Sequence, residues 1–229
     1  KKIFIKICRK LVYEIIDQNN FKIVTSDKKI NDELSLLGQN SINLPLGEIK
    51  ITRKVKALDI IIRTCSSVNM LTQNKTRLFE KEKIDYTLRT IVSLLNSVLD
   101  PQLNSLKINF KVIDHNSSSQ NLEKIENIFK KFKTKYLLIN LDVTKFKNKI
   151  NEINQRGDKV TSNQISNMAN IHQSLLEAKK CDDLVYFVED DYLHKKDSLK
   201  EMIFTYERIA SQINNDIIIC PADYPYLYA

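Results

Sequence analysis

Three consecutive carboxylates, Glu189, Asp190 and Asp191, stand directly behind the apolar run Leu184 to Val188. Acids gathered at the end of a buried strand are costly unless a cation or solvent meets them. Hard divalent cations such as Mn²⁺ or Mg²⁺ take carboxylate oxygens, waters and phosphate oxygens. Side chains alternate along an extended chain, so Glu189 and Asp191 point to one side and Asp190 to the other. Two carboxylates on one side can address one metal ion, directly or through water. The cluster reads equally as an acidic turn at the start of the next helix, where carboxylates are favoured. Spacing alone does not choose between the two. His194 follows within reach of a metal or phosphate, and also reads as a surface helix-capping residue.

Other polar groups close other apolar runs. LDIIIRT ends in Arg63-Thr64, KINFKVIDHNSS in Asp114-His115-Asn116, and KYLLINLD in Asp142. DIIIC is followed by Pro221-Ala222-Asp223. Each has a plainer reading. Asp114 with Asn116 and Ser117 can form an Asx turn that closes a strand. Arg63 can pair with a sheet-end acid as well as contact a phosphate or base. Asp142 reads as a strand end. His172 falls on an apolar helix face and reads as a core residue. Tyr224, Tyr226 and Tyr228 alternate either as a sugar-stacking platform or as edge-strand packing.

These residues need elements to hold them in register. The short β-branched runs predict strands at 58–62, 108–113, 136–140, 184–188 and 217–219. Between them lie helical periodicities. Ile84, Leu88, Ile91, Leu95 and Val98 share one face of a helix. Leu122, Ile125, Ile128 and Phe129 share one face of another. A third helix is capped by Thr161 or Ser162, with Ile165, Met168, Ala169, His172 and Leu176 toward the core. A fourth begins after Asp197 as N-cap. Strand–helix alternation predicts an α/β fold with a Rossmann-type, mostly parallel sheet flanked by helices. Ligands of such sheets bind beyond the carboxyl ends of the strands, where the polar groups above collect. The chain has three glycines, Gly38, Gly47 and Gly157. None makes a Gly-rich phosphate loop, which argues against a nucleotidyltransferase.

Composition sets wider bounds. The 229 residues suit one α/β domain with an appendage, read as residues 1–56 ahead of a domain at 57–229. The net charge of +8 favours anionic partners. The lysines are spread, without aromatic–basic signatures, so no specific nucleic acid is expected. Four cysteines, Cys8, Cys65, Cys181 and Cys220, form no CxxC pair. They read as buried free thiols of a reducing compartment, which implies a cytoplasmic protein. No apolar run is long enough for a membrane span. The basic surface leaves room for peripheral association with the inner face of the membrane.

The ordered set of strand ends resembles the inverting GT-A glycosyltransferases of family 2. In that family the first strand ends in a Pro-Thr-Tyr-Asn-like stretch, the second in a Val-Asp-Asp-Gly-Ser-like stretch, and a later one in Asp-x-Asp. Here the counterparts are Ile62 to Thr64, Ile113 to Ser117 and Glu189 to Asp191. Arg63 replaces the proline, and His115-Asn116 replaces the usual Asp-Gly. The resemblance covers roughly Leu58 to Ala229. It implies a metal-dependent transfer of a sugar from a UDP- or GDP-linked donor to a glycan or lipid-linked acceptor, in surface polysaccharide biosynthesis. Arg63 and Thr64 would flank the base and ribose, and Asp114, with Asn116 beside it, would meet the base edge. Asn163, Gln164 and Asn167 would line the donor sugar or ribose. Asp191 would be the main ligand of Mn²⁺ or Mg²⁺, with Glu189 near the ribose or a metal-bound water and Asp190 beside the nucleotide. The family's catalytic base lies well beyond its Asp-x-Asp, so either the base lies beyond this sequence, the favoured reading, or Asp223 serves, and the acceptor half of the site is expected beyond this sequence as well. A non-catalytic nucleotide- or glycan-binding module with a degenerate GT-A fold is the alternative.

Overall fold

A computed structural model describes residues 49–67, 82–151, 153, 157 and 159–221, and two short strands near the N-terminus. The short strands, β1 (Ile23–Val24) and β2 (Ser41–Ile42), pair in parallel. The chain divides into two compact units, one of residues 54–204 and one of residues 1–53 with 205–229.

The unit of residues 54–204 holds a four-stranded, wholly parallel sheet. Its strands are β3 (Ala57–Thr64), β4 (Lys107–Asp114), β5 (Tyr136–Asn140) and β6 (Leu184–Glu189). Their order in the sheet is β5-β4-β3-β6. β3 is interior to the sheet and almost wholly buried. That is why its sequence runs ALDIII without a polar alternation.

Two apolar layers cover the sheet. On one face Ile60, Ile62, Phe110, Val112 and Val188 pack with helices α1 (Lys83–Val98) and α2 (Ser119–Lys131). Leu199 and Ile203, from the first turns of α4 (Ser198–Ile213), join this layer. Phe129 of α2 stacks on Tyr136 at 4.3 Å and meets Phe110 edge-on at 5.7 Å. On the other face Ile61 and Ile113 meet Ala169 of helix α3 (Ser162–Ala178). Phe146 belongs to the same cluster, from a 3₁₀ helix, Val143–Lys149.

Helix α3 departs from its sequence pattern. The apolar face predicted an inward Leu176, yet Leu176 is exposed, as are Ile171 and Leu175. The helix buries Ser166, Ala169, Asn170, Ser174 and Glu177 instead. The reason lies in the sheet beneath it. Lys111 of β4 sits near Asp59 of β3 at 3.8 Å and Glu177 of α3 at 4.0 Å, all largely buried. Lys111 also donates to the Glu177 carbonyl at 3.3 Å. A buried lysine needs these acids, because an uncompensated buried charge is strongly destabilising. Small polar residues let the helix approach that charged strip. The Asn170 amide donates to the Ile113 carbonyl at 3.1 Å.

Thr161 is the N-cap of α3. It accepts from the Gln164 N–H at 3.3 Å, while the Gln164 side chain accepts from the Thr161 N–H at 2.9 Å. Replacing Thr161 with Ala should therefore cost about 1 kcal/mol in urea denaturation. A loss indistinguishable from zero would mean that the box contributes nothing.

The predicted fifth strand at 217–219 does not form. Residues 216–220 have no regular structure, and Ile218 is fully exposed. Here Asn214 takes a left-handed φ of 53° just beyond α4. Asp216 then accepts from Arg53 at 3.0 Å and from the Tyr206 hydroxyl. These bonds hold the segment by a side chain, in place of a strand ladder. The cysteines also differ from expectation. Cys65 and Cys181 are half-buried, and Cys220 is exposed. Among the described residues no helix is long and apolar enough to cross a membrane.

Candidate functional site at the sheet switch point

The chain enters the sheet at β3, adds β4 and β5 on one side, and then crosses to place β6 on the other. The order reverses between β3 and β6. A crevice beyond the carboxyl ends of two such strands is where open α/β sheets bind ligands. Arg63 and Glu189 are register partners across that boundary.

Alternation separates Glu189 from Asp190 as the sequence predicts. Glu189 lies on the α3 face and forms an ion pair with the Arg63 guanidinium. The second terminal nitrogen of Arg63 donates to Asn167 Oδ1 at 3.1 Å. Asp190 turns to the α1 face. Its carboxylate lies 3.2 Å from Lys83 Nζ and accepts from the Thr87 hydroxyl at 3.0 Å and the Cys65 N–H at 3.4 Å. Burial pushes the Asp190 carboxyl above its ordinary range, with the Lys83 ammonium pulling the other way. Asp191 is exposed at the turn beyond the strand.

The end of β4 is a closed network. Asp114 is buried and accepts from the Thr64 hydroxyl at 2.6 Å, the Ser117 hydroxyl at 2.6 Å and the Ser117 N–H at 3.1 Å. The Ser66 N–H donates to Ser117 Oγ at 2.9 Å, and Asn121 donates to Ser66 Oγ at 3.0 Å. Asn116 adopts a φ of 62°, a region asparagine tolerates, and its carbonyl accepts from Ser67. Asp114 and Thr64 thus fasten the β3 and β4 turns together, which is the turn-closing arrangement.

The structure brings Arg63, Asn167 and Glu189 into contact and sets Asp191 beside them in sequence. Asn163 lies exposed one turn before Asn167. Asp190 and the Asp114–Thr64 pair fall outside that contact group. His115 meets Ser166 of α3 at 2.7 Å. His194 does not take the surface helix-capping role. It is half-buried, its Nε2 is 2.9 Å from the Tyr186 hydroxyl, and its N–H donates to Ser93 Oγ at 3.0 Å. Burial pushes its pKa down. His172 packs against Phe146 at 4.9 Å between ring centroids. Asp142 caps the 3₁₀ helix, and its bond from Thr144 holds its carboxyl below the usual range. Asp223 and the three C-terminal tyrosines lie outside the described residues.

Sequence reasoning missed Lys83 and Thr87. The signal was present: Thr87 interrupts the apolar stripe Ile84, Ile91, Leu94, and a polar residue there requires a buried partner.

Among the described residues no three His, Cys, Asp or Glu side chains form a ready metal cage. Mg²⁺-type sites do not need one, since one or two carboxylates plus substrate phosphates and waters suffice. Glu189 and Asp191 are exposed hard-oxygen donors, and Glu189 already holds a cationic group in Arg63. That donor set fits a divalent cation shared with phosphate.

No protein-family model matches this sequence, and no curated protein matches it either. The class that the fold defines is an α/β chain with a parallel sheet in switch-point order.

Proposed function

We propose that this chain is a metal-dependent glycosyltransferase of GT-A type, whose nucleoside diphosphate sugar lies in the crevice between the ends of β3 and β6. One observation carries the reading. The order of the parallel strands reverses where Arg63 faces Glu189, with Asp191 two residues on. Asp191 and Glu189 would hold Mn²⁺ or Mg²⁺, which supplies positive charge to a departing diphosphate. Arg63 offers a planar guanidinium to phosphate or base. Asn167 orients Arg63, and Asn163 with Asn167 borders the ribose or donor sugar. Asp114 and Thr64 keep the two turns in place beneath the nucleotide. The acceptor is a glycan or lipid-linked hydroxyl, and Asp223 is the candidate base.

The second reading is a non-catalytic nucleotide- or glycan-binding module on the same fold. It is favoured by the pairing of Glu189 with Arg63 and of Asp190 with Lys83, acids that already hold cations.

Thermal-shift titration of UDP- and GDP-sugars, with Mn²⁺ or with chelator, tests both. Stabilisation that requires the metal, accompanied by release of nucleoside diphosphate, is the expected result. Stabilisation without release selects the module. No response to any nucleotide removes the site.

A further inference from the structure

We infer a modification site away from the crevice: hydrogen peroxide joins Lys111 Nζ to Cys181 Sγ through a sulfenamide bond. Cys181 stands in the connection between α3 and β6, at the amino ends of the strands. Arg63 and Glu189 close the carboxyl ends of theirs, so the crevice uses neither Lys111 nor Cys181. Lys111 Nζ donates to Cys181 Sγ at 3.4 Å. Both groups also donate to the Glu177 carbonyl, each at 3.3 Å. That shared acceptor holds the amine against the sulfur. Reacting atoms about 3 to 3.5 Å apart are already in a near-attack arrangement. Lys111 is largely buried, whereas Cys181 is half-buried and within reach of a small oxidant. Burial and the Asp59 carboxylate push the Cys181 thiol up, with the Lys111 ammonium pulling the other way. The thiolate is the species that reacts, so oxidation calls for peroxide in excess over the protein.

Peroxide takes the thiol to sulfenic acid and is itself reduced, leaving one water. Sulfenic acids condense with nitrogen to sulfenamides. Here the nitrogen is the Lys111 amine. Its lone pair attacks sulfur, the S–OH bond breaks, and the hydroxyl leaves as a second water. The ammonium gives up two protons in all. One departs with that hydroxyl, and the other passes to the Asp59 carboxylate, 3.8 Å from Nζ. Asp59 would otherwise be left as a buried anion without its cation, which is strongly destabilising. Glu177 keeps Lys180 at 2.6 Å. The cluster is therefore neutral both before and after the bond forms. The product fastens the connection after α3 to the middle of β4.

Peptide mapping by mass spectrometry of the full chain, before and after hydrogen peroxide, tests this in wild type, Lys111→Arg and Cys181→Ser. In treated wild type, trypsin should no longer cleave after residue 111. The peptides carrying Lys111 and Cys181 should appear joined, lighter by two hydrogen atoms than their sum, and dithiothreitol should release them. Cys181→Ser should show no joined peptide. Lys111→Arg keeps a positive charge beside Asp59 and Glu177, but a guanidinium does not attack sulfur. Its sulfenic acid should persist, and dimedone should label Cys181 several-fold more than in wild type. Normal cleavage after Lys111 in treated wild type, with Cys181 recovered as a sulfinic acid or in a disulfide, would overturn the inference. Equal dimedone labelling of wild type and Lys111→Arg would overturn it too, since the amine would then not consume the sulfenic acid.

Discussion

Asp191→Asn should abolish most of the metal dependence of nucleoside diphosphate binding, a loss on the order of 100-fold in affinity with Mn²⁺ present. Losing a group that only hydrogen-bonds a metal ligand costs about 10- to 100-fold at metal sites, and losing a ligand itself belongs at or beyond the upper end. Asp191 is exposed in the turn just beyond β6, so the substitution leaves the core untouched. Under chelator the variant should match or exceed wild type, because one anionic repulsion has gone. Calorimetric titration of UDP with Mn²⁺ or chelator reads both arms. Undiminished metal dependence in Asp191→Asn would place the metal elsewhere.

The second large effect is on stability. Asp190→Ala should cost about 3 kcal/mol in urea denaturation. Breaking a buried ion pair costs roughly 3–5 kcal/mol, and the lower end applies because Lys83 keeps 21% of its side chain exposed. The change also strips an acceptor from Thr87 and from the Cys65 N–H. Asp190→Asn retains an acceptor and should cost less, with a pH dependence of fixed sign. Burial raises the native pKa of Asp190 above its ordinary 3.8. The native state therefore binds this proton more readily than the unfolded chain does. The group's stabilisation is fully present below pH 3.8 and is lost as pH rises through the native pKa. Asn mimics the protonated acid throughout. The difference in unfolding free energy should thus move in the variant's favour as pH rises above 3.8. Movement the other way would mean that attraction to Lys83 outweighs burial.

The four sheet strands were legible because β-branched runs such as LDIII and FKVI can be buried on both faces in few other ways. The opposed directions of Glu189 and Asp190 were legible for an equally local reason, the two-residue repeat of a strand. Non-local charge was not. The orientation of α3 depends on Lys111, on a strand that precedes it by about fifty residues, and no helix periodicity reports that. The segment Asp216 to Cys220 has the composition of a strand, but its pattern cannot say whether a sheet edge is there to receive it. Asp114 showed the same limit. Its turn was legible, but its saturation by Thr64 was not, because register with β3 decides it.

The strand order also fixes the sequence of events during synthesis. β3 leaves the ribosome before the other strands of this sheet, and its neighbours β4 and β5 follow on one side only. The partner for its other edge, β6, emerges more than a hundred residues later, on the order of ten seconds at ordinary elongation rates. Through that interval Leu58 to Ile62 carry a row of unsatisfied N–H and C=O groups on an apolar strand, a template for any extended chain nearby. The nascent protein is therefore most vulnerable to mispairing along the same line where the finished protein assembles Arg63 against Glu189, and among the described strands that edge is the last to be paired.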